Sequence, residues 1–432
     1  MNPVYSAIIA LVAGGLVVLL LVGRLSAHPR AVAYTGLPFA VIAAGFGLQA
    51  PQPVALAVLA LSAVCGIALL LIPVLEPAVP LQVAEAAALL LLGTAGAIGL
   101  AAATDMLQTV VGLETLALSA VTLVALGAGD RALEAAFKYI VLGAMSVASL
   151  LYGLGLVYLG TGSLGFPTAA QIGANSLTLA GVVLVGLGIA FELAVVPLHW
   201  AALDAYTAAS SGLAGFVMSA SKLAAAFALG RVVLAAGVQS SQILVWLGAL
   251  TIVWGTFCAL ARSADLRRML AYSGITHAGF IALALGSGPN GPTTAGFYAA
   301  AYASMAMLVF AGLAGTVGDS PNLRSIGPLR ALAVGLGLFS LAGIPPTPGF
   351  WAKLAVLVVA WQSAGWLPTL IAVAGGVFSV LYYLRPLPDL FAALRGPEAT
   401  PRPVLIPGVL VATLAVIILG LAPGVAWYLV GS

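Results

Sequence analysis

The sequence predicts an all-α polytopic membrane protein of about fourteen helices, two of them broken. Three observations carry this. Of 432 residues, 62% are hydrophobic and only 6% are charged, against about 25% charge in a soluble domain. Apolar segments recur along the chain at lengths near the roughly 20 residues a helix needs to cross a hydrocarbon core. Prolines interrupt two of those segments, in ELAVVPLHWAAL and in LAGIPPTPGFW. Helices are the form such segments take, because open strands would leave backbone groups unpaired in lipid.

The segments fall near 5–23, 31–48, 53–73, 81–103, 106–127, 135–160, 177–206, 211–236, 242–261, 269–286, 294–317, 329–362, 365–387 and 405–430. The N-terminal MNPVYSAIIALVAGG has no basic n-region or cleavage site, so it reads as a first span and not as a removed signal peptide. Spans and short loops leave no room for a soluble catalytic domain. A net charge of +3, dispersed along the chain, does not suggest nucleic acid. Cys65 and Cys258 lie inside apolar segments without a partner motif and read as core residues.

Arginines set the orientation. Arg24 and Arg30 follow the first span, Arg131 the fifth, Arg262, Arg267 and Arg268 the ninth, Arg324 and Arg330 the eleventh, and Arg385, Arg395 and Arg402 the thirteenth. Connections after even-numbered spans hold almost no Lys or Arg, Arg231 excepted. Positive-inside bias places the odd loops in the cytoplasm and, with an even span count, both termini outside.

The broken spans are the seventh and the twelfth. Pro197 leaves the Leu193 carbonyl without its helical donor; Pro345, Pro346 and Pro348 do the same for Leu341, Ala342 and Ile344. Each break is followed by a Trp three residues past its last Pro, Trp200 and Trp351. A five-helix unit repeated with inverted topology would give this spacing, since an odd span count flips the second copy. Two unrelated proline kinks are the plain alternative.

Four charges sit deep in apolar segments: Glu114, Glu192, Lys222 and Lys353. Each costs about 2.5–3.5 kcal/mol on insertion scales, so the set costs roughly 10–14 kcal/mol if uncompensated, and such residues usually line an internal polar path. Lys222 is too far from either end of its span to snorkel easily. Lys353 follows a break whose freed carbonyls could hold its ammonium. Glu114 has apolar helical neighbours, so its partner must come from another helix. Pairing with a lysine is both the structural alternative and part of a relay. Glu192 precedes Pro197 by five residues, with His199 seven residues beyond it. His277 lies inside the tenth span. Both histidines are candidate relay residues, because the imidazole titrates near neutrality; packing is the alternative for each. With no Cys or carboxylate in ligand spacing they make a poor metal site. Lys138 is nearer its helix end, where snorkelling competes with a buried role, and Asp130, Arg131 and Glu134 read as a solvated cap. No phosphate loop or nucleophile motif appears. Abundant glycines scattered through the helices suit close helix packing.

Several stretches resemble the antiporter-like membrane subunits of respiratory complex I, most closely subunit N. They are GLETLALS in span five, RALEAAFKYIVLGAMSVASLLYGLGLVYLGTGSL across span six, SASKLAAAFAL in span eight, RSADLRRMLAYSGITHAGFIALAL in span ten, SLAGIPPTPGFWAKLAV in span twelve and LYYLRPL at the end of span thirteen. The resemblance covers roughly residues 85–390. It implies fourteen helices with inverted repeats of spans four to eight and nine to thirteen. The chain then divides into an N-terminal three-helix segment (1–80), a first repeat (81–236), a second repeat (242–387) and a C-terminal transmembrane helix (405–430). It further implies that Glu114 is a charge partner, Lys138 and Lys222 buried relay members, His277 a linking residue and Lys353 the second-half proton site.

Two departures stand out. The family has lysine in span seven, in a stretch like F-K-x-x-x-V-P-F-H; here FELAVVPLH puts Glu192 at that position. The following WAALDAYTAASSGLAG lacks the usual T-P-D and Gly-Ala-Pro pieces. No long lateral helix of the L-type subunit is expected after span fourteen. The expected function is a proton-translocating subunit of a complex I-like assembly in an energy-transducing membrane, next to other membrane subunits, with no flavin, iron–sulfur cluster or quinone of its own. A subunit of a cation/proton antiporter or membrane-bound hydrogenase is the second expectation, and a non-conducting structural subunit the third.

Overall fold

The computed structural model describes residues 2–25, 31, 34–72, 80–127, 129–237, 241–316, 318–396 and 402–430. Among them the chain is nearly all helical, as the composition predicts. The principal helices are α1 (Pro3–Leu25), α2 (Leu37–Gly47), α3 (Val54–Leu71), α4 (Pro80–Ala101), α5 (Met106–Ala125), α6 (Asp130–Thr161), α7 (Ser176–Leu193), α8 (Trp200–Ala208), α9 (Ser211–Ala235), α10 (Gln242–Ala261), α11 (Leu266–Leu285), α12 (Gly291–Gly312), α13 (Pro328–Ala342), α14 (Pro348–Ser363), α15 (Trp366–Leu384) and α16 (Ile406–Leu421). Eleven described helices are long and apolar enough to cross a membrane. The predicted spans at 31–48, 269–286 and 329–362 correspond to the shorter α2, to α11 with its two arginines, and to α13 and α14 on either side of a break. The last predicted span, 405–430, is divided: α16 ends at Leu421 and a short helix Pro423–Val430 follows. Pro423 has no N–H to continue the ladder.

Apart from their loop-proximal turns, α9 and α12 are enclosed by other helices. α6 is the opposite case, with Phe137, Met145, Tyr152 and Leu159 among many exposed apolar side chains. Glycines let selected helices approach to backbone contact. A Cβ on Gly153 would meet the Gly181 carbonyl at 2.6 Å where α6 crosses α7, and one on Gly279 would meet the Gly248 carbonyl at 2.8 Å where α11 crosses α10. Small residues at crossings are how membrane helices gain dispersion contact without a hydrophobic drive.

The breaks use one device. α7 stops at Leu193, four residues ahead of Pro197, and Ala194 turns left-handed at φ +65°; its N–H returns to the carbonyls of Ala190 and Phe191. α13 stops at Ala342, and Gly343 turns left-handed at φ +85° with its N–H on Phe339 and Ser340. A left-handed residue lets the orphan carbonyls of a helix end be satisfied locally. Thr251 of α10 closes the first break from outside by accepting the Val196 N–H at 3.0 Å. Irregular backbone at membrane depth needs such protein partners.

The connections after predicted spans five, nine, eleven and thirteen meet at one end of the bundle. Arg131 pairs with Asp319 at 3.0 Å and Arg268 reaches Asp319 at 3.4 Å. Arg324 pairs with Asp389 at 2.7 Å, and Arg385 donates to Ser263 at 2.5 Å. These four odd loops therefore share one face, as the arginine pattern predicts; Arg30 lies outside the described residues. The expected solvated cap is altered by these contacts, since Arg131 is tied across to Asp319. Cys65 and Cys258 are free thiols.

Left-handed φ costs a residue with a Cβ about 1–2 kcal/mol, and glycine returns part of that through unfolded-state entropy. Ala194→Gly should therefore stabilise the fold by roughly 0.5–1 kcal/mol. The thermal unfolding midpoint of the detergent-solubilised protein checks this: a rise is expected, and a fall contradicts the account of the break.

Candidate proton-relay site

Lys222, in the middle of α9, is fully buried. Its ammonium donates to the Tyr206 hydroxyl at 3.0 Å and lies 4.5 Å from the Tyr206 ring centroid and 5.6 Å from that of Tyr302. Contacts with aromatic faces offset the lost hydration of a desolvated ammonium by about 2 kcal/mol. Glu192, at the end of α7, is 3% exposed. One of its oxygens accepts a short hydrogen bond from Ser221, the residue before Lys222, and the carboxylate lies within electrostatic range of the Lys222 ammonium. The break after Leu193 places Glu192 there, by ending the helix where its side chain faces α9.

Tyr139, Ser146 and Glu114 join Glu192 around a cavity of about 400 Å³ between α5, α6 and α7. The Oε1 atom of Glu114 is buried in it and has no hydrogen-bond partner among the described residues. A partner from another helix was expected. No described lysine lines the cavity; the titratable side chain that shares it with Glu114 from α7 is Glu192.

His277 of α11 is buried between tyrosines. Its Nδ1 meets the Tyr298 hydroxyl at 2.8 Å and its Nε2 meets the Tyr383 hydroxyl at 3.1 Å. The Tyr302 ring packs on the imidazole with centroids 4.9 Å apart. The Tyr302 hydroxyl itself is buried without a hydrogen-bond partner among the described residues, an omission that costs about 1–3 kcal/mol.

Lys353, in the first turns of α14, donates to the Ala342 carbonyl at 2.8 Å and to Ser379 Oγ at 3.0 Å. Ala342 is one of the carbonyls whose helical donors the prolines remove, so the break itself supplies half of the ammonium's hydrogen bonds. Phe280 covers it at 5.9 Å from the ring centroid.

Two candidates stand apart from this line. His199 heads α8; Trp254 donates to its Nε2 at 3.0 Å, which leaves Nδ1 to carry the N–H of a neutral ring. Lys138 is not buried, against what the resemblance implied. It lies on the outward face of α6 with a side chain 46% exposed, held by Glu134 at 2.7 Å and Asp204 at 3.2 Å. The i,i+4 spacing from Glu134 directs it along the surface of the helix, away from Lys222.

The structure thus brings Glu192, Lys222, His277 and Lys353 into one buried polar zone and supplies its connections from residues the charge pattern did not reveal: Ser221, Tyr206, Tyr298, Tyr302, Ser379 and Tyr383. One signal for them was present. Tyr298 and Tyr302 are four apart in the otherwise apolar GFYAAAYASM, which puts both hydroxyls on one face of a helix. Arg267 and Arg330 were also missed as buried groups; they cap helix ends, Arg267 at the carbonyls of Thr207 and Ala209 where α8 ends and Arg330 at those of Gly312 and Ala314 where α12 ends.

Residues 103–379, more than half of the chain, match the family described as NADH:quinone oxidoreductase/Mrp antiporter, TM. The chain belongs to this NADH:quinone oxidoreductase/Mrp antiporter family. Among curated members, the NADH-quinone oxidoreductase subunit N of Cereibacter sphaeroides is 34% identical over 420 residues, covering 91% of this chain and 92% of that protein. The subunit N of Deinococcus radiodurans is 33% identical over 367 residues, covering 80% and 74%. Among solved structures, a chain of the membrane-bound sulfane sulfur reductase, an archaeal respiratory membrane complex, superposes with TM-score 0.84 at 25% identity, covering 98% of this chain and 96% of that one. A chain of respiratory complex I from Thermus thermophilus gives 0.79 at 29% identity, covering 98% of both. A chain of the Mrp complex from Dietzia gives 0.79 at 21%, a likeness of fold alone. The family fold is therefore common to oxidoreductase and antiporter assemblies, and these two relatives by sequence are named as oxidoreductase subunits.

Gly343 holds the second break and sits against Lys353: a Cβ there would lie 3.0 Å from Lys353 Cδ, in a left-handed backbone. Gly343→Ala should destabilise the fold by about 1–2 kcal/mol and crowd the Lys353 ammonium. The thermal unfolding midpoint checks the first effect; an unchanged midpoint contradicts it.

Proposed function

We propose that this chain is a proton-translocating membrane subunit of a complex I-like assembly, moving protons through Glu192, Lys222, His277 and Lys353 while partner subunits carry out the redox chemistry. One observation supports this above the others. Four titratable side chains are buried among the helices, and hydroxyls and aromatic rings lie between them and beside them. A structural ion pair would need two of these groups, not a line of four. The curated relatives are named NADH-quinone oxidoreductase subunit N, which favours the oxidoreductase assembly over an antiporter or a hydrogenase.

The same proposal gives fourteen spans, with residues 81–236 and 242–387 as inverted five-helix repeats between an N-terminal segment, 1–80, and a C-terminal segment, 405–430. The two left-handed breaks and the glycine crossings support the repeat. The face where Arg131, Arg268 and Arg385 meet is cytoplasmic, and both termini lie outside. Other membrane subunits flank the chain; the exposed apolar face of α6, carrying Lys138, is where one would pack. Glu114 contributes charge to the Glu192 cavity, and His199 and Lys138 stand at the edges of the relay. The chain holds no cofactor of its own.

Glu192 distinguishes this relay. A carboxyl is neutral when loaded and an anion when empty, the inverse of a lysine. The empty site would attract a nearby cation such as the Lys222 ammonium, where a loaded lysine would repel it.

Lys222→Ala and Lys353→Ala should each lower the protons moved per electron in proteoliposomes while the assembly still co-purifies. Lys222→Arg should not restore pumping, because Arg keeps its proton. Normal ratios in both alanine variants would refute the relay. A cysteine placed at Ser263 should be protected from an impermeant external thiol reagent in intact cells; labelling from outside would reverse the orientation.

A further inference from the structure

The hydrogen-bonded chain has a gap. On one side, Lys222 donates to Tyr206. On the other, both ring nitrogens of His277 are occupied by Tyr298 and Tyr383. No described hydrogen bond joins the two groups. Tyr302 lies between them, its ring 5.6 Å from the Lys222 ammonium and 4.9 Å from the imidazole. Its hydroxyl is buried and has no partner among the described residues. Gly274 adjoins that hydroxyl: a Cβ there would lie 2.7 Å from Met218 Cε, 3.0 Å from the Tyr302 hydroxyl and 3.7 Å from the Lys222 ammonium.

We propose that the Tyr302 hydroxyl carries the proton across the gap between Lys222 and the His277 cluster. The proposal rests on the relay reading given above. A phenol is donor and acceptor at once. As its oxygen takes a proton from the Lys222 ammonium, its own O–H bond breaks and that proton passes to the His277 cluster. Lys222 is left neutral, the His277 cluster gains one proton, and Tyr302 is neutral before and after. No tyrosinate and no oxidant is needed. The phenol must then turn back to face Lys222 before the next transfer, which makes it a gate as well as a link. Lys222 and Tyr206 cannot do this alone, since no described hydrogen bond leads from the Tyr206 hydroxyl to α11.

The test is the proton-to-electron ratio of the full assembly in proteoliposomes, with co-purification of the subunits as the control for folding. Tyr302→Phe keeps the ring against His277 and removes only the hydroxyl. Its ratio should fall to that of Lys222→Ala, while Tyr428→Phe, exposed on the short helix Pro423–Val430, keeps the normal ratio. A normal ratio in Tyr302→Phe with a reduced one in Lys222→Ala overturns the Tyr302 proposal and leaves the relay standing. Normal ratios in both overturn the relay and the proposal with it. Should Tyr302→Phe not assemble, Gly274→Ala in a Met218→Ala background decides, since Met218 Cε would otherwise meet the new Cβ first: against Met218→Ala alone, a reduced ratio supports the link and a normal one removes it.

Discussion

A charge buried in hydrocarbon must find its partners inside the protein, and the fold is arranged around that constraint. Three of the deep charges are met in different ways. Lys353 takes a carbonyl that a broken helix has released, together with a serine hydroxyl. Lys222 takes a tyrosine hydroxyl and two ring faces. Glu192 takes Ser221. These partners are neutral or weakly polar, so they hold the charged form without locking it, which a tight ion pair would do.

The breaks in spans seven and twelve follow from the same need. A continuous helix spends every carbonyl on itself and has none to offer a side chain. Stopping α13 at Ala342 frees a carbonyl for Lys353, and stopping α7 at Leu193 ends the helix next to Glu192. The left-handed residue after each stop satisfies the other orphan carbonyls locally. The enclosed helices α9 and α12 then carry Lys222 and the tyrosines away from lipid.

Much of this was legible in the sequence because membrane burial is so restrictive. Apolar length located the spans, proline located the breaks, and lone charges located Glu192, Lys222 and Lys353. The arginines foretold which loops share a face. What was not legible has physical reasons. The hydroxyls of Tyr206 and Tyr302 carry no charge and do not stand out in an apolar helix until another helix brings a lysine to them. The outward position of Lys138 depends on Glu134 and Asp204, and Asp204 is distant in sequence. Helix ends shift where a short break absorbs residues, as at 194–199 and after Leu421. The paired charge expected for Glu114 depended on what span seven presents, and span seven presents an acid.

The central claim is that the buried line changes protonation as the assembly turns over, with Glu192 taking part as a neutral acid. Infrared difference spectroscopy of the working assembly tests this most directly. A protonated-carboxyl band that appears during turnover and is lost in Glu192→Gln is the predicted result. No such band, with Glu192→Gln pumping at the normal ratio, would contradict it and leave Glu192 a static partner of Lys222.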